Sequence, residues 1–322
     1  MKISRQRLQA EAQTTGFRPE VLEKAIHLLN LLDGFRSHPF LKGRLALKGG
    51  TALNLFLFDL PRLSVDIDLN YIGAADRETM MAERPKVEQA VEAVCAREGL
   101  QTVRVPSDHA GGKWRLRYDS ALGEGGNLEL DLNFMFRVPL WPVEPLDSRP
   151  LGTYRTTGIP VLDIHELAAG KLAALLARSA SRDLFDAHLL LTQSHLDDAR
   201  LRLGFVLYGA MNRRDWREVR ASDVALDAKD VENQLVPVIR KGYFTDAGTQ
   251  RQWAQRMLKE CRHGLKKVLP LAKEEKVFLD RLLDEGDIEP SLLTSDPAMI
   301  ERIRLHPLLQ WKAMNVQKHR KA

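Results

Sequence analysis

The chain has 322 residues, 44% of them hydrophobic, and a formal net charge of +5 from 48 basic and 43 acidic residues. That length suits two domains of roughly 100–200 residues each, and the basic balance admits a polyanionic partner without requiring one. Two cysteines, Cys95 and Cys261, are too few for a disulfide framework, and no apolar run reaches the ~18 residues of a membrane span.

Residues 1 to 36 read as two helices, the second opened by Pro19 and apolar along Val21, Ala25, Leu28, Leu29 and Leu32. The opening Met1-Lys-Ile-Ser-Arg-Gln-Arg is polar and lacks the apolar core of a secretion signal, so a cytoplasmic protein with no membrane partner is expected. Residues 45 to 47 then form a short strand, Gly49-Gly50 a turn, residues 51 to 58 a helix and residues 63 to 72 a strand. Residues 85 to 98 are helical, with Val87, Ala90, Val91 and Val94 facing inward. Two alternating strands follow at 114 to 118 and 128 to 136, joined by the hairpin glycines of Gly123-Glu-Gly-Gly126. Pro139, Pro142, Pro145, Pro150 and Pro160 mark a surface connector. The expected organisation is N-terminal helices over 1–40, a catalytic domain over 41–150 and a helical domain over 151–322.

From Asp163, an N-cap by residue type, a buried stripe is expected through Ile164, Leu167, Ala168, Leu172, Leu175 and Leu176. Lys171, Arg178 and Arg182 fall near one line if this helix is continuous, a basic line able to meet a triphosphate. Beyond Gln193 the sequence carries no motif. Residues 251 to 267 and the tail 318 to 321 are basic, with Trp253 and Trp311 nearby, which suits either an acceptor RNA or ordinary solvated helix faces.

The chemistry concentrates in Lys48-Gly49-Gly50-Thr51 and in Ser64-Val65-Asp66-Ile67-Asp68-Leu69. On a strand, side chains at i and i+2 share a face, so Asp66 and Asp68 project together and Val65, Ile67 and Leu69 turn to the core. Adjacent carboxylates repel and raise each other's pKa. A divalent cation resolves the conflict, and Mg²⁺ is commonly held by one or two carboxylates together with substrate phosphates. The run from Asn127 to Phe136 alternates in the same way, with Glu129, Asp131 and Asn133 opposite Leu128, Leu130, Leu132, Phe134 and Phe136. Side by side, the two strands would bring three acids together, as a two-metal phosphoryl-transfer site requires. Glu129 shares the face of Asp131 and is the alternative third acid. Gly49-Gly50 suits a strand-to-helix turn with positive φ or a phosphate at a helix N-terminus. Lys48 suits a local ion pair or a phosphate contact.

The Gly-Gly-Thr turn, Arg62-x-Ser64-x-Asp66-x-Asp68-Leu and the strand ending Asp131-Leu-Asn-Phe resemble the AbiEii family of nucleotidyltransferase toxins, a branch of the polymerase-beta-like superfamily. Leu167-Ala-Ala-Gly-Lys171, Arg178 and Arg182-Asp183-Leu-Phe-Asp186 are similar to that family's lysine helix and Arg-Asp-x-x-Asp signature. The resemblance spans roughly residues 40 to 190. It implies an α+β fold: a polymerase-beta-like core, a mixed sheet flanked by helices, with a helical C-terminal domain. It also implies transfer of a nucleoside monophosphate from an NTP to an RNA acceptor, expected to be the tRNA 3′ end. Asp66, Asp68 and Asp131 would hold two Mg²⁺ ions and Lys171 would join them in catalysis. Lys48, Gly49, Gly50, Thr51, Ser64, Arg178, Arg182 and Asp183 would bind the NTP. The Arg182-Asp183 pair and Asp186 also fit a purely structural role. A cognate antitoxin and a part in phage defence complete the expectation.

Other chemistries fit less well. His165-Glu166 begins like a zinc-protease motif, but Ala169 stands where the second histidine belongs. Gly170-Lys171 mimics the end of a P-loop, yet Leu172 replaces Ser/Thr and position 165 is not glycine. Two rivals share the fold: a nucleotidyltransferase acting on a small molecule or a protein, and a non-catalytic RNA-binding protein.

Overall fold

The computed structural model describes residues 3–106, 108, 110–244 and 247–321, without the side chains of Ala247 and Lys321. Met1, Lys2 and Ala322 of the expected terminal segments lie outside the described residues. The chain divides into two compact units. The first takes Met1–Arg137, Pro142–Leu162 and Val236–Thr245, and the second takes Val138–Trp141, Asp163–Leu235 and Asp246–Ala322.

The first unit opens with helices α1 (Arg5–Thr15) and α2 (Pro19–Ser37), as the periodicity predicts. Strand β1 (Leu45–Lys48) leads into the short helix α3 (Gly49–Ala52), which continues as a π turn over Leu53–Leu57. Helix α3 therefore starts on the glycines expected to form the preceding turn, with Gly49 at a φ of 72°. Strand β2 is Asp66–Tyr71, shorter than expected, because Arg62 and Leu63 pair with Ile239 and Val238. Half-buried Val65 thus precedes the strand and stays out of its apolar face.

Helix α4 (Arg77–Arg97) begins eight residues before Pro85, which lies inside it. The start is set by Asp76, whose carboxylate accepts the N–H of Thr79 at 2.8 Å. A capped first turn prevails here over the tendency of proline to mark a helix start. Gly34 of α2 lies against Val94 and Arg97 of α4, where a Cβ would collide with the valine.

Strands β3 (Gln101–Arg104), β4 (Gly111–Asp119), β5 (Gly125–Asn133), β6 (Glu144–Leu146) and β7 (Ile159–Val161) complete one mixed sheet in the order β3-β4-β5-β2-β1-β7-β6. The β2/β5 and β1/β7 pairs are parallel and the others antiparallel. β4 and β5 form the expected hairpin, but Gly125 and Gly126 are strand residues and the turn spans Ser120 to Glu124. β5 ends at Asn133, not at 136, because the Asn133 side-chain oxygen accepts the N–H groups of Met135 and Phe136 and turns the chain. Phe134 is fully buried, whereas Phe136 is only half-buried. The proline-rich segment is no simple connector: β6 and β7 lie on either side of residue 150 and pair with each other.

The sheet's alternation fixes its faces. Ile67, Leu69 and Tyr71 are buried, and Leu69 shares a small cavity with Leu32 and Phe35 of α2. Tyr71 donates its hydroxyl to Glu83 of α4 at 2.7 Å. Trp114, Leu116, Leu128, Leu130 and Leu132 continue the buried side. The intervening residues of β2, β4 and β5 occupy the opposite face.

The second unit is helical, as expected after Asp163: α5 (Ile164–Arg178), α6 (Ser181–Gln193), α7 (Asp198–Ala210), the short α8 (Ala228–Asp230), α9 (Ala247–Gly264), α10 (Lys273–Asp280), α11 (Pro297–Arg304) and α12 (Pro307–Lys321). Asp163 caps α5 by accepting the N–H of His165 at 2.9 Å. Leu167, Ala168, Leu172, Leu175 and Leu176 are buried. The continuous helix expected from Lys171 to Arg182 is absent: Ser179, at a φ of 50°, ends α5 and Arg182 belongs to α6. Among the described residues no helix is long and apolar enough to cross a membrane. Both cysteines are buried and free.

Candidate active site

The register of four strands lines up the charged face of the first unit. Lys48 of β1 stands opposite Asp68 of β2, Asp68 opposite Asp131 of β5, and Asp131 opposite Lys113 of β4. A row of lysine, aspartate, aspartate, lysine therefore crosses the sheet. One step along, Asp66 stands opposite Glu129, and Glu129 opposite Arg115. The three expected acids thus share one face on adjacent strands.

Burial and charge decide the state of Asp131. Burial pushes its carboxyl above the usual range, Lys48 opposes this, Asp68 adds to it, Lys113 opposes it again and Glu129 raises it further. Its Oδ1 is buried and has no hydrogen-bond partner. A buried carboxylate oxygen without a partner is costly. Glu129, the alternative third acid, is differently placed: Lys113 donates to it at 2.7 Å and Arg115 lies 4.0 Å away.

The glycine segment is pinned to the acids. A Cβ added at Gly49 would run into the Asp68 carboxylate, so only glycine leaves that group its position. Gly50 is buried, and its carbonyl accepts from Asn54 Nδ2 at 2.9 Å. Thr51 is fully buried and donates its hydroxyl to the backbone carbonyl of Asp66. Lys48 Nζ lies 5.1 Å from the centre of the Phe136 ring. Ser64 is buried, next to Leu63, whose N–H donates to Val238 at 2.9 Å. Asn70, on the same face as Asp66 and Asp68, is wholly buried with neither amide atom hydrogen-bonded.

Among the described residues, no three His, Cys, Asp or Glu side chains are gathered closely enough to hold one ion between them. The donor set still fits Mg²⁺, which is commonly held by one or two carboxylates with water and substrate phosphates filling the remaining positions. The unpartnered oxygen of Asp131 beside Asp68 is the feature that such an ion would satisfy.

The other sequence candidates lie in the second unit. Lys171 Nζ is 2.8 Å from Asp183 Oδ1 and 3.0 Å from Asp186 Oδ2, and Arg178 Nε is 2.6 Å from Asp183 Oδ2. Burial raises the Asp183 carboxyl, but Lys171 and Arg178 outweigh it and hold it at about 2. The anionic partners of Lys171 are thus the two aspartates of the Arg-Asp-x-x-Asp segment. Arg182 is half-buried on the same helix as Asp183. The sequence reading missed Lys113, although the alternation Lys113-x-Arg115-x-Arg117 was visible beside the acid strand.

The fold is of the α+β class: a mixed sheet that presents paired strand aspartates beside a glycine-started helix, followed in the chain by a helical unit. The chain belongs to the AbiEii family: the profile described as "Nucleotidyl transferase AbiEii toxin, Type IV TA system" matches residues 30–282. Membership of a toxin–antitoxin family implies a nucleotide substrate and an antitoxin partner. Among solved structures, the chain is similar to MenT4, the nucleotidyltransferase toxin Rv2826c from Mycobacterium tuberculosis H37Rv. The TM-score is 0.62 at 16% identity, covering 98% of this chain and 100% of that one, a likeness of fold. Among curated proteins no sequence matches it.

Proposed function

We propose that this toxin acts in the cytoplasm and transfers a nucleoside monophosphate from an NTP to an RNA acceptor, the 3′ end of tRNA, releasing pyrophosphate. The observation that carries the proposal is the Lys48, Asp68, Asp131, Lys113 row, with Asp66 one step along and an unpartnered oxygen on Asp131. Mg²⁺ held by Asp66, Asp68 and Asp131 would neutralise the leaving phosphates and lower the pKa of the attacking hydroxyl.

The chain's own contribution is positioning and electrostatics, as in phosphoryl transfer generally. Lys48 and Lys113 flank the aspartates and offset their mutual repulsion before substrate arrives. Gly49 leaves the Asp68 carboxylate unobstructed, and Thr51 fixes the first residue of β2 through its backbone. Gly49 and Gly50 are proposed to meet the triphosphate through backbone N–H groups, with Ser64 nearby. Lys171 is proposed as a catalytic lysine whose ammonium is set by Asp183 and Asp186, with Arg178 and Arg182 as further phosphate ligands. Modified tRNA that cannot be aminoacylated would account for toxicity, and antitoxin-controlled toxicity suits a part in phage defence.

The test is incubation of the protein with total tRNA, Mg²⁺ and each labelled NTP in turn, beside Asp66→Ala, resolved on a denaturing gel. Label should enter tRNA with the intact protein alone and identify the nucleotide. Label entering a protein or small molecule instead would overturn the RNA acceptor, and full activity in Asp66→Ala would overturn the acid site.

A further inference from the structure

The face that carries the acids continues as a line of exposed cations. Lys113, Arg115 and Arg117 alternate along β4, opposite Asp131, Glu129 and Asn127 of β5. Arg104 of β3 pairs with Arg115 beyond a bulge, and Gln101 pairs with Arg117. Directly opposite residues share a face, so four cations and the catalytic row lie on one side of the same rigid sheet. Lys113 and Arg115 are 61% and 64% exposed despite their strand setting. Arg104 and Arg117 are exposed as well.

The stripe is more than a set of surface ion pairs. Glu129 is the acid within it, and Lys113 and Arg115 both approach that one carboxylate. Asp119 stands at the far end of β4, away from Asp131. Among the described residues the Arg104 side chain makes no ion pair or hydrogen bond, and the Arg117 guanidinium lies along Gly125, within 3.2 Å of where a Cβ would stand. Four cations therefore stand beside two acids along the stripe, a net positive charge that the sheet leads inward to Asp131.

Resting on the reading that the acceptor is RNA, we infer that the open face of β3 and β4 is the acceptor track: a single-stranded RNA end lies along Arg117, Arg115 and Arg104 and delivers its terminal hydroxyl to Asp68 and Asp131. Side chains two residues apart on a strand are separated by roughly 6.8 Å, a repeat comparable with that of successive phosphates in an extended polynucleotide. Guanidinium groups bind phosphate through paired N–H donors. The face presents no aromatic side chain on β3 or β4, so recognition is of the backbone. Such binding tolerates sequence and depends steeply on salt.

The measurement is fluorescence anisotropy of a labelled mixed-sequence single-stranded RNA bound to the full-length protein across a salt series. It compares wild type, Arg104→Gln/Arg115→Gln/Arg117→Gln, and Arg251→Gln/Arg256→Gln/Lys259→Gln on α9. The β-face variant should bind at least tenfold more weakly at 100 mM salt. Its log–log salt slope should fall by about 2, from ~0.7 per lost contact on a single strand. Arg117→Lys, which keeps the charge, should retain most of the affinity, and thermal unfolding of each variant checks the fold. Wild-type affinity and slope in the β-face variant, or loss confined to the α9 variant, would overturn the track and leave the RNA acceptor standing. No RNA binding by wild type at 50 mM salt would overturn both.

Discussion

The hydroxyl of Thr51 donates to the backbone carbonyl of Asp66, tying the helix that follows β1 to the first residue of the acid strand. Both partners precede catalysis in the chain of causes: the bond sets where β2 begins, and β2 sets the register of Asp68 against Asp131. Thr51→Val keeps the shape and removes the donor, losing a part-buried hydrogen bond at a cost of about 0.5–1.5 kcal/mol. Thr51→Ser should restore most of the lost stability. Chemical denaturation of the two variants checks this, and equal stability of Thr51→Val and wild type would refute it.

Asp131→Asn should separate stability from activity. The folded pKa of Asp131 is raised, chiefly by burial, so its stabilising share is complete below the unfolded pKa and is lost as pH rises through the folded pKa. Asparagine carries no such penalty, so its Tm should exceed that of wild type by a margin that grows with pH. Transfer activity should fall by about a hundredfold or more. Millimolar Mg²⁺ should raise the Tm of wild type and not that of the variant; an equal rise in both would remove Asp131 from the metal site.

Lys171 answers to two aspartates that are 3% and 0% exposed. Removing one partner of a buried ion pair typically costs about 3–5 kcal/mol because the remaining charge is stranded. Lys171→Met should therefore lower stability by that order. Lys171→Met/Asp183→Asn/Asp186→Asn should recover much of it. If transfer stays absent in the restabilised triple variant, the lysine acts in the reaction; if transfer returns, its role is structural.

Glu166 gives a pH signature independent of the active site. It accepts the Tyr208 hydroxyl at 3.0 Å and the Leu140 N–H at 2.9 Å, and burial pushes its carboxyl up to about 7. With the folded pKa above the unfolded one, its contribution is complete below pH ~4.5 and declines as pH rises toward 7. Glu166→Gln should be nearly neutral at pH 5 and stabilising at pH 8, by on the order of 3 kcal/mol. Unfolding midpoints at the two pH values decide it, and parallel pH profiles for the two proteins would count against the assignment.

The strands were legible where alternation was clean. Asp66, Asp68, Glu129 and Asp131 declare their common face by period two, and the hairpin glycines declare the turn between β4 and β5 within three residues. The rest depended on interactions that local pattern does not encode. Nothing at Ser179 announces a break, because the left-handed residue there is neither Gly nor Asn. Pro85 misplaced the start of α4 because the Asp76 cap acts nine residues upstream. The cations of β4 form no motif of their own, and only the register sets Lys113 opposite Asp131.

The first unit is also discontinuous in time. Leu63, three residues before the acid strand, is held by Val238, Arg62 bridges Ile239, and Lys241 donates to Gly16 at 2.7 Å. A ribosome that has completed Asp131 still has more than a hundred residues to add before this clasp exists. A nascent chain therefore carries Asp66, Asp68 and Asp131 long before the segment that clasps the approach to their strand.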